Sequence, residues 1–451
     1  MSGTVTQTDP SAVAAAPAAP VGESQRIAAL DMLRGVALLG ILLMNIGVFG
    51  VHLRGDGISE IYARPGSADF WSFAAMTILF EGKMRALFCM LFGAGILLFT
   101  TNKEAASKRA VTRLFYVRMF WLVIFGLINA HILLWEGDIL YFYGLFGMLV
   151  YLLRRLRPAW MATGVPIVAI IGFVLTTMFL YGIRTQRFAY IEARAAADSG
   201  RTLTAEQNAA LASWRDIEVT FIPNSQDRAK EIEAMRGSYS EVAGVVRKHA
   251  FEFETTFLFV ELGDNIALML LGMALLHWGF FTGRWTTRDY IRTMAIGYGL
   301  GLPAVTYSFW YGYTHTPNIE ALLRFMETHP INWVNLIYPI QRILLVMAHC
   351  SLLMVLWQRG AFQWLFARLR AVGQMALTNY LMQSVLCTLF FFGYGLGFYE
   401  RFAFYQVYYV VFAVWVLQLA YSPVWLRYFR FGPMEWVWRT LTYWKVQPMR
   451  R

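Results

Sequence analysis

The chain has 451 residues, 58% of them hydrophobic and only 15% charged, with a formal net charge of +11. A soluble domain of this size cannot hide so much apolar surface, and its continuous apolar runs lack the alternation of a membrane barrel, so the composition leaves an all-α polytopic helical membrane protein. The excess of Lys and Arg then marks loops on the cytoplasmic side of a bilayer and excludes a nucleic-acid reading.

Residues 1–25 are rich in Ala, Pro, Ser and Thr. They lack a basic start followed by an apolar core, and read as a disordered cytoplasmic tail rather than a signal peptide. By the length criterion about ten spans follow. The first, Leu33–Val51, is introduced by Asp31 and Arg34 and carries Asn45 near its far end. The second runs from about Phe70 to Thr100 and is interrupted by Glu81-Gly-Lys-Met-Arg85. The third is Val117–Trp135, the fourth Ile139–Leu153 and the fifth Ala159–Ile183. Residues 184–253 mix Arg, Lys, Asp and Glu with Ala and read as a charged helical insertion. The sixth span is Thr255–Phe281, the seventh Ile291–Tyr311, the eighth Ile331–Trp357, the ninth Ala371–Phe392 and the tenth Phe404–Leu426. This divides the chain into a first bundle, 26–183, the insertion, a second bundle, 254–427, and a basic tail, 428–451.

Loop charges orient the spans. One set of connections holds Arg109, Arg113, Arg154, Arg155, Arg157, Arg284, Arg288, Arg359, Arg368 and Arg370; the opposite short loops hold only Arg54, Arg64, Arg324 and Arg401. Both termini are therefore expected in the cytoplasm and the insertion outside. Cys89, Cys350 and Cys387 all fall in apolar runs and read as core residues. No set of residues has the spacing of a zinc or haem site, so no metal is expected.

Ionisable groups inside a bilayer are costly and usually face a cavity, so they locate the candidate site. Asn45 and His52 are seven residues apart and would share one helix face. His52 is a candidate base or an interfacial residue. Glu81 and Arg85, at i and i+4, read as an ion pair or, with Lys83, as a pocket for a charged substrate. His131, Trp135 and Asp138 flank a short outer turn. Asp138 reads either as a helix cap or as the carboxylate that orients His131 for base catalysis. Glu261 and Asp264 read as cavity carboxylates or as counter-charges for Lys83, Arg85 or Arg342. Gln341 and Arg342 lie within the eighth span. Asn379, Tyr380 and Gln383 on the ninth read as lumen groups or as hydrogen bonds between helices.

Three stretches carry a resemblance. They are Leu30-Asp-Met-Leu-Arg-Gly-Val-Ala-Leu-Leu-Gly-Ile-Leu-Leu-Met-Asn45, Glu81-Gly-Lys83 to Phe92-Gly-Ala-Gly95, and His131 to Asp138. With Gly373-Gln-Met-Ala-Leu-Thr-Asn-Tyr-Leu-Met-Gln-Ser384 and the segment Trp425–Arg439, they resemble the YeiB-like bacterial inner-membrane family and its C-terminal domain of unknown function. The opening motif also resembles the wider transmembrane acyltransferases, among them heparan-alpha-glucosaminide N-acetyltransferase and the bacterial sugar O-acyltransferases. In that resemblance Asn45 matches the Asn of the heparan enzyme's motif. His52 is the only His of the loop that carries that enzyme's catalytic His, though closer to Asn45, and His131 is the other candidate base.

The resemblance implies a membrane acyltransferase. Acyl-CoA, most simply acetyl-CoA, would be the co-substrate, and a hydroxyl or amine of a small molecule or glycan the acceptor. His131 or His52 would act as base, Asp138 would orient it, and Asn45 would stabilise an oxyanion. Glu81, Lys83, Arg85, Trp135, Glu261, Asp264, Gln341, Arg342, Asn379, Tyr380 and Gln383 would shape the substrate cavity. The alternative is a transporter for a small charged or polar solute. The expected partners are the lipid bilayer, the acceptor and, as an open case, a second copy in a homodimer.

Overall fold

The computed structural model describes residues 27–53, 57–101, 107–221 and 225–451. The expected tail 1–25 lies outside them. Every element of length is helical. An isolated antiparallel bridge joins Phe429 to Arg450.

The central helix is α1 (Ala28–Gly50), in which Leu33, Leu38, Leu42 and Ile46 are all fully buried. It is apolar on every face because it is surrounded, as a helix inside a bundle must be. After α2 (Gly57–Tyr62), the expected second span is two helices, α3 (Ala68–Leu79) and α4 (Lys83–Thr101). Gly82 sits between them at φ +68, a left-handed conformation that glycine adopts without strain. Lys83 Nζ donates to the Thr77 carbonyl at 2.8 Å, satisfying an acceptor at the broken end of α3.

The antiparallel pair α5 (Lys108–His131) and α6 (Leu140–Leu153) packs beside α4. Helix α7 (Pro158–Asp198) is 41 residues long, about 60 Å at the usual rise. The expected boundary at residue 184 therefore falls inside a continuous helix, because Ala, Arg and Glu sustain helix as well as the apolar residues before them. Helix α8 (Ala205–Phe221) folds back along α7, burying Trp214 against Tyr190. Helices α9 (Ser225–Met235) and α10 (Tyr239–Thr256) return the chain to the bundle, where α10 packs on α5. Its buried stripe of Val242, Ala243, Val246 and Ala250 is the face that docks.

The second half contains α11 (Leu258–His277), α12 (Thr287–His315), α13 (Ile319–Thr328), α14 (Val334–Gln358), α15 (Gln363–Gln374), α16 (Ala376–Phe391), α17 (Val407–Tyr428) and α18 (Pro433–Tyr443). Among the described residues, seven helical segments are long and apolar enough to cross a membrane. Leu140–Leu153 and Ala376–Phe391 are shorter apolar helices. The expected seventh span lies within α12, whose Gly, Tyr, Ser and Thr content keeps its 29 residues outside that set.

The tightest helix crossings run through reciprocal glycines. A Cβ on Gly93 of α4 would collide with the Met269 carbonyl of α11, and one on Gly272 of α11 with the Met90 carbonyl of α4. Helices α1 and α15 cross in the same way through Gly35 and Gly373. Small residues let backbones approach where lipid supplies no hydrophobic drive for helix association. Replacing Gly272 with Val is expected to destabilise the fold by about 2 kcal/mol through overpacking, read as a lowered melting temperature of the purified protein in lipid nanodiscs.

Candidate functional site

The turn after α5 folds back into the bundle. Leu133 N donates to Ile128 O at 2.9 Å and Trp135 N to Asn129 O at 3.0 Å. Leu134 is fully buried with φ 59, a strained conformation for a branched side chain. Asn129 Nδ2 then donates to Asp138 Oδ1 at 2.7 Å, and Asp138 Oδ2 accepts from Tyr141 N at 2.9 Å, capping α6. A Cβ on Gly126 would collide with Tyr141 N. Asp138 thus sits about five residues inward of His131, roughly 8 Å along α5. The expected outer turn is a re-entrant one.

The tip of this turn is anchored by aromatic residues. The Trp135 ring stacks on Phe49 of α1 with centroids 4.1 Å apart. Trp135 Nε1 and the Ile139 amide both donate to the Tyr380 hydroxyl of α16, each at 3.2 Å. Tyr380 lines one cavity and Trp135 another, and the two cavities lie at opposite ends of α1, α5 and α16.

The first cavity, of about 270 Å³, lies at the basic end of the bundle. Arg34, Arg118 and Arg439 line it together with Asp31 and Glu435, and Tyr143 and Tyr380 line its inner part. Arg34 Nη1 pairs with Asp31 Oδ1 at 2.9 Å. Arg118 stacks its guanidinium 3.6 Å from the centroid of the Trp438 ring and makes no ion pair among the described residues. Glu435 is committed to capping α16: it accepts from Leu377 N at 2.6 Å, Thr378 N at 3.1 Å and the Thr378 hydroxyl at 2.6 Å. Burial pushes its carboxyl up despite these donors.

The second cavity, of about 230 Å³, lies at the far end and gathers His52, Trp135, Glu136, Glu231 and His249. His52 Nδ1 stands 3.6 Å from Glu231 Oε1, and His249 Nδ1 stands 2.9 Å from Glu136 Oε2. His249 Nε2 is 3.8 Å from the other Glu231 oxygen. Among the described residues no group of three or more His, Cys, Asp or Glu is placed to hold a metal ion.

The expected site residues divide into separate groups. His131 lines neither cavity; its Nε2 lies 2.9 Å from Glu254 Oε2 of α10. Its expected pairing with Asp138 does not form, because Asp138 is turned inward to Asn129 and the α6 amides. His52 lies beyond the end of α1, so it does not continue the helical face of Asn45. Asn45 is half-buried and lines neither cavity.

The charges around the α3–α4 break form a network in which Lys83 and Arg342 are buried and the others half-buried. Arg85 reaches Glu261 at 2.5 Å and Asp264 at 3.2 Å. Arg342 Nη1 donates to Asp264 Oδ2 at 2.9 Å, and Nη2 donates to Asp264 Oδ1. Glu81 accepts from the Tyr338 hydroxyl at 2.9 Å. It does not pair with Arg85, because the turn at Gly82 ends one helix before the other begins, so the i, i+4 register between them does not exist. With Lys83 the set holds three cations and three carboxylates and lines neither cavity. Gln341 accepts from Ser308, Asn379 donates to Ser422, and Gln383 donates to Gln418. These polar groups hold helices together.

Sequence reading passed over Glu231 and His249, which lie in the charged insertion. The signal was there in α10: His249 borders the apolar stripe that ends at Ala250. Arg34, Arg118 and Arg439 read in the sequence only as charges of the cytoplasmic side; that they line one cavity from three distant helices was not legible there.

Comparison with known proteins follows this geometry. Residues 275–445, from the end of α11 through α18, match the family described as Protein of unknown function (DUF418). Over 430 residues the chain is 30% identical to "Uncharacterized protein YeiB" of Escherichia coli (strain K12), covering 93% of this chain and 96% of that relative. It is 28% identical over 444 residues to "Uncharacterized protein YxaH" of Bacillus subtilis (strain 168), covering 96% and 98%. No solved structure matches the chain. The apolar helices and these bacterial relatives make it a multi-pass membrane protein.

The ion network sets a stability test. Arg342 is 3% exposed, so Asp264→Asn leaves a buried guanidinium without its main counter-charge. A loss of about 3 kcal/mol is expected, read by thermal denaturation in nanodiscs. Adding Arg342→Met to that variant is expected to restore part of it.

Proposed function

Because the chain belongs to the family of YeiB-like membrane proteins with a DUF418 domain, we propose that it is an inner-membrane acyltransferase. It passes an acyl group from acyl-CoA on the cytoplasmic side to a hydroxyl or amine acceptor on the outer side. One observation carries this reading: two cavities at opposite ends of the same helices meet at a single hydrogen-bonded pair, Trp135 and Tyr380.

The arginine-rich cavity suits the donor. Its guanidiniums match the phosphates of CoA, and the excess of basic residues there supports a cytoplasmic position for that end. The far cavity suits the acceptor. His52 or His249 takes the proton of the attacking O–H or N–H, with Glu231 and Glu136 stabilising the imidazolium formed. The acceptor atom bonds to the thioester carbonyl carbon, the C–S bond breaks, and the CoA thiolate leaves and is protonated. The Trp135 and Ile139 N–H groups converge on one oxygen, now the Tyr380 hydroxyl. A thioester carbonyl taking that position would find two preorganised donors for its developing negative charge. In this reading the oxyanion role expected of Asn45 passes to these groups, and the base role moves from His131 to the far cavity.

A path for a polar solute is served less well. The inner walls of the basic-end cavity are largely Phe, Leu and Met, and the buried charges already neutralise one another.

The test is transfer by the purified protein in nanodiscs, given radiolabelled acyl-CoA and a panel of hydroxyl and amine acceptors. His52→Ala and His249→Ala together are expected to lower kcat by about 10²–10⁴-fold while donor binding stays unchanged. Solute flux in liposomes with no thioester consumed by any acceptor would overturn the reading in favour of transport.

A further inference from the structure

The basic-end cavity is divided sharply by chemistry. Its ionic groups gather at one end, on α1, α5 and α18. Inward, the walls are Phe88, Phe92, Met119, Leu122 and Leu140, with Ile96 on the α4 side. The two hydroxyls at the inner end are already engaged: Tyr143 donates to Arg85 O at 3.4 Å, and Tyr380 accepts from Trp135 and Ile139. Polar groups lying against these walls find few partners, whereas an alkyl chain needs none.

The depth and the rim agree with that. Between Phe88 and Phe99, both lining residues, α4 rises about 16 Å. Gly95 faces open space within this stretch: a Cβ there would have only the Arg34 guanidinium within 4 Å, at 3.7 Å. At the rim Arg118 has no carboxylate among the described residues, and Glu435 is spent on the α16 amides.

We infer that this cavity binds a single fatty-acyl chain headed by an anionic group, with the chain along α4 and the head at Arg118. The cavity occupant is thus selected by chain length. This goes beyond the acyltransferase reading and does not depend on it: a chain with its head at Arg118 keeps its carbonyl at the rim, about 16 Å from the inner end where Tyr380 meets Trp135, so the fatty-acyl ligand is not the donor in transfer.

The experiment is competition binding by the full chain in lipid nanodiscs, with radiolabelled dodecanoyl-CoA as probe. Dodecanoyl-CoA and dodecanoate are expected to compete. Acetyl-CoA and free CoA are expected to be weaker by tenfold or more, since each buried methylene adds about fourfold in affinity. Dodecyl maltoside, with the same chain and a neutral head, is expected to compete poorly. Gly95→Leu fills the slot and is expected to weaken dodecanoyl-CoA about tenfold without changing acetyl-CoA. Ile96→Phe serves as a second plug should the first variant not fold. Arg118→Gln is expected to weaken dodecanoate and dodecanoyl-CoA alike, by about tenfold.

Equal affinity for acetyl-CoA and dodecanoyl-CoA, with Gly95→Leu and Ile96→Phe changing neither, would overturn the inference. Tight, plug-sensitive binding of dodecanoate and dodecanoyl-CoA without any transfer would support it and sink the acyltransferase reading.

Discussion

A backbone that leaves a helix in the middle of a bundle must find hydrogen-bond partners there, because neither lipid nor packed side chains supply any. The turn between α5 and α6 meets that demand locally. Asp138 accepts from the Asn129 amide and from Tyr141 N in the first turn of α6, while Tyr380 receives the Ile139 amide. Because the turn is closed in this way it can sit deep, and because it sits deep it divides the interior into two cavities.

The same rule governs the charges. Six ionisable groups cluster around the α3–α4 break and sum to zero, with Lys83 and Arg342 buried among half-buried partners. A buried charge is costly to desolvate and is retained when a counter-charge or acceptor meets it. It fixes the approach of α4, α11 and α14, and so supports the inner wall of the basic-end cavity through the Arg85 carbonyl that Tyr143 meets. The groups that line the cavities are Arg118 at one end and the cluster of His52, Glu231 and His249 at the other, where Glu231 stands 3.6 Å from His52 and 3.8 Å from His249.

Much of this was legible in the chain. Apolar runs of bilayer length gave the helices, and Glu81-Gly-Lys83 marked the break between α3 and α4. The ion-pair reading of Glu261 and Asp264 was open from their residue types, since a buried carboxylate calls for a cation. Gly35, Gly93 and Gly373, which stand in the motifs that carry the family resemblance, proved to be contact points between backbones. Asp138 was readable as a cap. Its depth was not, because an inward turn and an outward one have the same sequence signs.

Other features depended on which helices meet. His249 lies 113 residues from Glu136 and reaches it only because α10 docks on α5. Arg34, Arg118 and Arg439 converge from α1, α5 and α18. Local periodicity and composition act over a few turns, so the sequence by itself determined an all-α membrane protein, its helical segments and the identity of its buried polar groups. Only the tertiary structure decided which of those groups neutralise one another and which line a cavity. Pairing inside a bundle depends on helix approach, and that is set by packing between residues far apart in the chain.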